Sequence, residues 1–410
     1  MTLFENISYA LSLKKLAKND GRHPSEKSLS ILKRPVILVE CGLIKYIGSK
    51  EKIPKYLKIK KTIDLKNRPI LPAFTECHTH TVFAGNRSGE FEQRNLGESY
   101  ESIAKSGGGI QSTVKATRKT DINELVVLAQ SRVDRFIEQG VSCLETKSGY
   151  GLNLKQEEKL LKAARGLKKI KIVSTYLGPH ALSPEFKKRG LGYSDYLDSI
   201  IQSDLAYLNA EGLVDRADIF VDRGYFSLRD LKKYIVSVKN LDLNFCVHAD
   251  QLARTGASVV AAENSAQSIE HAIHLTDRDI QKISQTDTTA VLLPTADIYI
   301  HSDYPKARKM IDEGIRVAVA TDFNPGSSPT QDLSFVGMLA RLEMKMSLPE
   351  VISAYTYNSA RSLGLHHERG SLEVGKVADF CVLDQDWDEL FYSVGKHEIR
   401  HLFRSGKKLY

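Results

Sequence analysis

The chain has 410 residues, of which 42% are hydrophobic and 26% are charged, and this balance is typical of a folded globular protein and excludes a largely disordered one. The formal net charge of +8 is concentrated at the start, because residues 1–67 carry 13 Lys and 2 Arg against 6 Asp or Glu, a net charge of +9. The rest of the chain therefore sums to 8 − 9 = −1. This distribution does not predict a nucleic-acid-binding protein.

The length accommodates a barrel of about 250 residues together with a smaller domain. No apolar stretch approaches the roughly 18 residues that span a bilayer, and the first 20 residues lack the order of charged and apolar residues found in secretory signals. The five cysteines are widely spaced and odd in number, which indicates reduced thiols rather than a disulfide framework or a zinc–cysteine cluster. We expect a cytoplasmic protein that contacts no membrane.

Both ends of the chain predict small all-β units. Residues 30–66 alternate short β-branched runs with Gly and Pro breaks, and the segments RGSLEVGKVADFCVLDQ and HEIRHLFRSGKKLY near the C-terminus follow the same pattern. In the first 30 residues a strand and a short helix both fit LSLKKLAKND. We expect residues 1–67 and 366–410 to form one β-sandwich.

Between the two ends, residues 68–365 repeat a strand, loop and helix pattern, which is typical of βα units around a parallel sheet. Helical spacing is clearest over 121–139, where Asp121 is a capping candidate and Gly140 ends the pattern. The other predicted helices are 155–168, 227–240, 253–264 and 348–363.

Eight strand candidates can be counted in this central part. Each ends in, or leads into, a polar cluster, and in parallel barrels the active site is built from loops at the carboxyl ends of the strands. The sequence therefore predicts a (β/α)8 TIM-type barrel. The candidates are RPILPAF, VSCLETK, IKIVSTYLG, RADIFVD, LNFCVHAD, QSIEHA, TAVLLPT and RVAVATD.

Metal-ligating residues follow three of these strands. His78 and His80 are two residues apart in an extended segment and so point to the same side, which suits joint binding of one metal ion. His248 and Asp322 follow the fifth and eighth candidates. Each of these residues alone is as easily a structural histidine or a turn cap, but together three His and one Asp suit Zn²⁺ or Fe²⁺ with an open position for water.

These residues and their surroundings resemble the amidohydrolase superfamily. The runs HTHTVFAGNR, SGGGIQSTVKATR, ETKSGYGL, YLGPHA, VHADQL and ATDFNPGSSPT are similar to the imidazolonepropionase family, and the resemblance covers roughly residues 70–380. It implies one divalent metal ion, Zn or Fe, bound by His78, His80, His248 and Asp322, without a carboxylated lysine. The substrate contacts that the resemblance implies are Arg87, Tyr150, His180, Gln251, Asn324, Gly326 and Ser327.

The resemblance further implies hydrolysis of 4-imidazolone-5-propanoate to N-formimidoyl-L-glutamate in histidine degradation. We expect Asp322 to take a proton from water and pass it to the leaving ring nitrogen, and His271 to orient the nucleophile or stabilise the oxyanion. A structural role for His271, with His274 facing the site instead, is the alternative. Pro179 departs from the family pattern and stiffens the approach to His180.

Two other functions fit parts of the sequence. A related amidohydrolase acting on another cyclic amide or an aminated heterocycle would keep the metal residues but has no use for Arg87, since a purine or pyrimidine has no propionate tail. A non-catalytic barrel that binds a partner through the basic N-terminal region usually loses metal ligands, and all four are present here. A homodimer is the default expectation for the oligomeric state.

Overall fold

The computed structural model describes residues 1–98 and 108–410, whose strands form two sheets. The first sheet is mixed and combines the two ends of the chain, because Phe380–Leu383 pairs with Lys61–Pro72. Its central pair is parallel and its other pairs are antiparallel. In spatial order its strands are Lys407–Lys408, Ile399–Arg404, Phe380–Leu383, Lys61–Pro72, Thr2–Leu11, Val36–Glu40 and Leu43–Gly48, with Ile31–Lys33 also pairing with Thr2–Leu11.

The second sheet is parallel throughout, and its strands follow one another in chain order. Val141–Lys147 is buried along its whole length, as expected for a parallel sheet that is covered on both faces. The sheet is therefore that of a TIM-like domain. Its strands are Phe74–Glu76, Val141–Lys147, Lys171–Tyr176, Arg216–Ala217, Phe220–Val221, Asn244–Ala249, Ser268–His271, Thr289–Leu292 and Arg316–Val319.

Along the chain, most of the helices connect consecutive strands of the parallel sheet. The predicted helix over 121–139 is confirmed as Ile122–Glu138, and the Asp121 side chain accepts hydrogen bonds from the backbone N–H groups of Asn123 and Glu124. The α-helices are Lys14–Lys18, Ser88–Asn95, Ile110–Lys119, Ile122–Glu138, Leu154–Gly166, Pro184–Lys188, Tyr193–Ser199, Leu205–Ala210, Leu228–Asn240, Ala257–Glu263, Asp277–Ser284, Pro294–Ile300, Ala307–Asp312, Leu333–Leu342, Leu348–Tyr355 and Tyr357–Ser362.

One strand prediction is wrong. The run RPILPAF was expected to be the first strand of the barrel, but residues 68–72 continue the strand Lys61–Pro72 of the mixed sheet. The first strand of the parallel sheet is the short segment Phe74–Glu76, which pairs with Val141–Lys147. The physical reason is that the mixed sheet supplies residues 70–72 with a partner strand, Phe380–Leu383, from the far end of the chain.

At the start of the chain, both structures that fit LSLKKLAKND occur. The strand Thr2–Leu11 is followed directly by the helix Lys14–Lys18. The core of the mixed sheet is built around Phe4, Phe380 and Phe403, whose ring centroids lie 4.9 to 5.2 Å apart.

The outer strands of the parallel sheet approach each other at their carboxyl ends. Thr79, just beyond the first strand, forms a parallel bridge with Phe323, just beyond the last. The His80 N–H donates to the Phe323 carbonyl oxygen at 2.9 Å. In the described ranges, no helix is long and apolar enough to cross a membrane. The first two residues of the SGGGIQSTVKATR motif, 106 and 107, lie outside the described residues.

Candidate active site and metal centre

A cavity of about 660 Å³ lies at the carboxyl ends of the parallel strands. His80, His248 and Asp322, which follow the first, fifth and eighth predicted strands, all line it. His78 is fully buried behind them. The cavity also contains every residue that the sequence predicted as a substrate contact, namely Arg87, Tyr150, His180, Gln251, Asn324, Gly326 and Ser327.

Two histidines and a carboxylate converge on one point. Oδ1 of Asp322 lies 3.3 Å from Nε2 of His78 and 3.4 Å from Nε2 of His80. Two ligand atoms that are each about 2.0–2.1 Å from a tetrahedral ion are about 3.3–3.4 Å apart, so this spacing fits a zinc-sized cation. All three side chains are buried, and Oδ1 of Asp322 has no hydrogen-bond partner within the described structure.

His248 joins the same cluster through His78, since candidate ligand atoms of His78, His248 and His271 lie within 4.8 Å of one another. The ring centroids of His78 and His248 are 4.7 Å apart. The donor set of three imidazoles and one carboxylate fits a divalent transition metal. The residues present therefore fit the metal ion that the sequence predicted.

His271 and Asp322 share an unusual backbone conformation. Their φ angles are +69° and +51°, in the left-handed region that side chains other than glycine seldom adopt. Such residues cluster at functional sites, where the surrounding structure holds them in place. Both His271, which the sequence analysis chose, and its alternative His274 line the cavity, but only His271 belongs to the buried histidine cluster.

Asp322 and His271 differ in charge. Burial by itself raises the pKa of Asp322, but its contacts with His78 and His80 outweigh burial and hold the pKa well below its usual value. Burial, together with the neighbouring His248 and His78, holds the pKa of His271 well below its usual value. Asp322 is thus ionised and His271 neutral at neutral pH.

The loop that carries Tyr150 is fixed by a buried carboxylate that the sequence analysis did not single out. Glu157 is fully buried and accepts hydrogen bonds from the N–H groups of Gly149, Gly151 and Leu152 at 2.7 to 2.8 Å. Glu157 lies in the first turn of the helix Leu154–Gly166. Its position links the SGYGL motif to the scaffold.

Other predicted contacts are also held by neighbouring groups. The Asp222 carboxylate accepts from the Gln251 N–H at 2.8 Å, and Nδ1 of His180 lies 3.1 Å from the Gly149 carbonyl oxygen. The Asn324 side chain is engaged within its own loop, because its Oδ1 accepts from the N–H groups of Gly326 and Ser327.

The largest omission from the sequence analysis is Lys147. It ends the strand Val141–Lys147, its side chain is completely buried, and its Nζ lies within 3.0 Å of the carboxylates of Glu145, Asp218 and Glu270. Burial by itself lowers the pKa of Lys147, but these carboxylates outweigh burial and hold the pKa well above its usual value. Its place in ETKSGYGL, at a strand end next to a family motif, was the available signal.

Comparison with known proteins identifies the family. The amidohydrolase family model matches residues 230–409. The imidazolonepropionase of Bdellovibrio bacteriovorus is 48% identical over 411 residues, covering 100% of this chain and 96% of the relative. This chain belongs to the imidazolonepropionase family. The imidazolonepropionase of Clostridium tetani is 36% identical to this family member over 93% of the chain and 92% of the relative.

Solved structures extend the likeness to the fold. The crystal structure of an adenosine deaminase from Xanthomonas campestris with bound zinc matches 99% of this chain and 92% of that one, with a TM-score of 0.68 and 15% identity. E. coli guanine deaminase matches 100% of this chain and 99% of that one, with a TM-score of 0.69 and 14% identity. These likenesses show that the chain has an amidohydrolase-type fold. Its family membership shows that it is a hydrolase.

Proposed function

We propose that this chain hydrolyses 4-imidazolone-5-propanoate to N-formimidoyl-L-glutamate in histidine degradation, at the cavity described above. The observation that carries the proposal is the meeting of a metal-binding donor set with Arg87 in one cavity. A metal centre supplies hydrolysis, and an arginine supplies recognition of a substrate carboxylate. The family membership of the chain supports both parts.

His78, His80, His248 and Asp322 would hold one divalent ion, zinc or iron. When bound, such an ion lowers the pKa of a coordinated water from about 15.7 toward about 7.

Asp322 and His271 handle the protons of the reaction. Water adds to the ring carbonyl carbon, the bond from that carbon to the ring nitrogen breaks, and the nitrogen gains a proton. Asp322 is ionised, and its Oδ1 lies 3.3 to 3.4 Å from Nε2 of His78 and His80. It accepts the proton of the water and passes it to the leaving nitrogen. His271, uncharged and buried beside it, orients the nucleophile.

The side chains around the cavity bind the two parts of the substrate. Arg87 is a fork-shaped partner for the propionate carboxylate. Tyr150, His180 and Gln251 present hydrogen-bonding groups to the planar ring, and the loop shaped by Asn324 brings Gly326 and Ser327 to the cavity wall.

We further infer the finer architecture that supports this site. The bridge between Thr79 and Phe323 supports closure of the parallel sheet as a (β/α)8 barrel. We infer that the two chain ends, residues 1–67 and 366–410, form a β-sandwich, and that residues 68–365 form the barrel. Because Lys61–Pro72 pairs in the mixed sheet, we place the first boundary at about residue 73. The five free cysteines favour the reducing cytoplasm, and a homodimer stays a prediction.

The test mixes zinc- or iron-loaded protein with fresh imidazolone propionate and follows the loss of ring absorbance, with dihydroorotate, hydantoin and guanine as alternative substrates. We expect loss of imidazolone propionate alone, stopped by a chelator. Turnover of hydantoin or guanine instead would contradict the proposed substrate and favour a related amidohydrolase activity.

A further inference from the structure

Lys147 joins carboxylates from three separate segments of the chain beneath the proposed metal centre. Its Nζ lies 2.8 Å from Oε1 of Glu145, 3.0 Å from Oδ2 of Asp218 and 2.9 Å from Oε2 of Glu270, and none of these side chains has exposed surface. An ammonium group has three protons, so each carboxylate has one donor. Burial of such a charge is tolerable only because its partners are close and well placed.

Two of these carboxylates also reach metal-binding rings. Oε2 of Glu270 lies 2.6 Å from Nδ1 of His78, and Oδ2 of Asp218 lies 2.9 Å from Nδ1 of His248. A carboxylate at Nδ1 fixes the orientation of an imidazole and leaves its Nε2 for a metal ion. Nε2 of His78 indeed faces Asp322.

The third carboxylate holds the main chain of the HTH segment. Oε2 of Glu145 accepts from the N–H of Thr79 at 3.3 Å, and the Thr79 hydroxyl donates to the Glu145 carbonyl oxygen at 2.7 Å. Thr79 lies between His78 and His80 in the sequence. Each partner of the ammonium therefore touches a segment that carries a metal-binding side chain.

We propose that Lys147 is a positioning residue of the metal centre, an internal cation that holds Glu145, Asp218 and Glu270 in place and through them orients His78 and His248. The proposal rests on the metal-binding roles given to these histidines under the proposed function. Without the ammonium, three buried carboxylates would face one another with their main counter-charge gone. The carboxylates would turn apart, and this movement releases the imidazole rings that they orient.

The test measures zinc affinity of the metal-free protein by competition with a chromophoric chelator. We compare the wild type, Lys147→Met and the control Lys376→Met. The control removes another largely buried lysine, whose Nζ donates to the His366 carbonyl oxygen and to Ser371 outside the cavity. We expect Lys147→Met to bind zinc about 10- to 100-fold more weakly, as is usual when a group behind a metal ligand is lost, and Lys376→Met to match the wild type.

A second measurement distinguishes a positioning role of Lys147 from a general effect on protein stability. The visible spectrum of the cobalt-loaded protein reports ligand geometry, and we expect it to change in Lys147→Met and to stay unchanged in Lys376→Met. Wild-type zinc affinity and an unchanged cobalt spectrum in folded Lys147→Met would overturn the proposal.

If Lys147→Met does not fold, Glu145→Gln takes its place, because it removes a partner of the ammonium that touches neither imidazole ring. It should weaken zinc binding in the same direction, and an unchanged affinity would overturn the proposal. Failure of the proposed function and failure of the proposed role of Lys147 give different results. A wild-type protein that binds no zinc or iron contradicts the proposed function, whereas equally tight binding by all variants contradicts only the role of Lys147.

Discussion

Gly326 and Arg87 pack so closely that a β-carbon on residue 326 would collide with the guanidinium group. The guanidinium is held on its other side by Glu90, whose Oε2 accepts from Nε of Arg87 at 2.7 Å. An added β-carbon at residue 326 would therefore push the guanidinium group out of its present position. Arg87 is fixed between the loop after the last parallel strand and the helix Ser88–Asn95.

This packing predicts the effect of Gly326→Ala. The added methyl group displaces the guanidinium, which weakens a charged hydrogen-bonded contact worth about 1.5–3 kcal/mol. We expect the KM for imidazolone propionate to rise by roughly 10- to 100-fold, with a smaller change in kcat, in steady-state kinetics.

Gly89→Ala is the matched control. Gly89 lies in the helix that follows Arg87, and a β-carbon there meets nothing within 4 Å. Its KM should equal that of the wild type, and its stability should be equal or higher by up to about 1 kcal/mol, because alanine is the better helix former. An unchanged KM in Gly326→Ala, or an equal rise in both variants, would show that the close packing does not position Arg87.

Asp322→Asn tests the proton transfer. The amide oxygen of Asn still offers a metal ligand, but the side chain no longer accepts a proton at neutral pH. We expect kcat to fall by about 10²- to 10⁴-fold, the usual contribution of a general base, while most of the metal content remains. The measurements are turnover and metal analysis of the same preparation, and near-wild-type turnover would reject this role for Asp322.

Removal of the metal ion should abolish activity reversibly. Dialysis against a chelator leaves the buried cluster of three histidines and Asp322 without its cation, and addition of zinc or iron should restore turnover. Because the ion binds the folded state, excess metal at about 100 times its Kd adds about 2.7 kcal/mol of stability, which a thermal melt detects. Full activity of chelated, metal-free protein would refute the metal assignment.

The proposed metal-binding set could be predicted from the sequence because its signals are local. His78 and His80 are two residues apart directly after a strand, and His248 and Asp322 each follow a recognisable apolar run. The structure brings all four to the same end of the parallel sheet. The predicted helix at Ile122–Glu138 was likewise readable from a local cap and a local period.

Features that depend on residues far away in the chain could not be predicted from the sequence. Residues 70–72 look like a barrel strand until Phe380–Leu383, about 310 residues later, pairs with them. The place of Lys147 beside a family motif was a signal for the residue itself, but not for its partners, because Asp218 and Glu270 lie far from it in the sequence. A short apolar run and a single lysine carry no local sign of their partners.

Glu157 offers a test of how the Tyr150 loop is held. Its carboxylate is the shared acceptor for three backbone N–H groups, those of Gly149, Gly151 and Leu152. Glu157→Gln replaces one acceptor oxygen with an NH₂ group, which leaves at least one buried donor unsatisfied at a cost of about 1–3 kcal/mol.

The loosened loop no longer holds Tyr150 in place, so Glu157→Gln should lower the melting temperature and raise KM together. The adjacent Glu158→Gln is the control, because Glu158 forms a partly exposed i,i+4 pair with Lys162 at 2.7 Å. Loss of that pair should cost less than about 1 kcal/mol and leave KM unchanged. Thermal melts and steady-state kinetics on both variants measure the difference. A Glu157→Gln enzyme with wild-type KM would mean that Tyr150 keeps its place without this carboxylate.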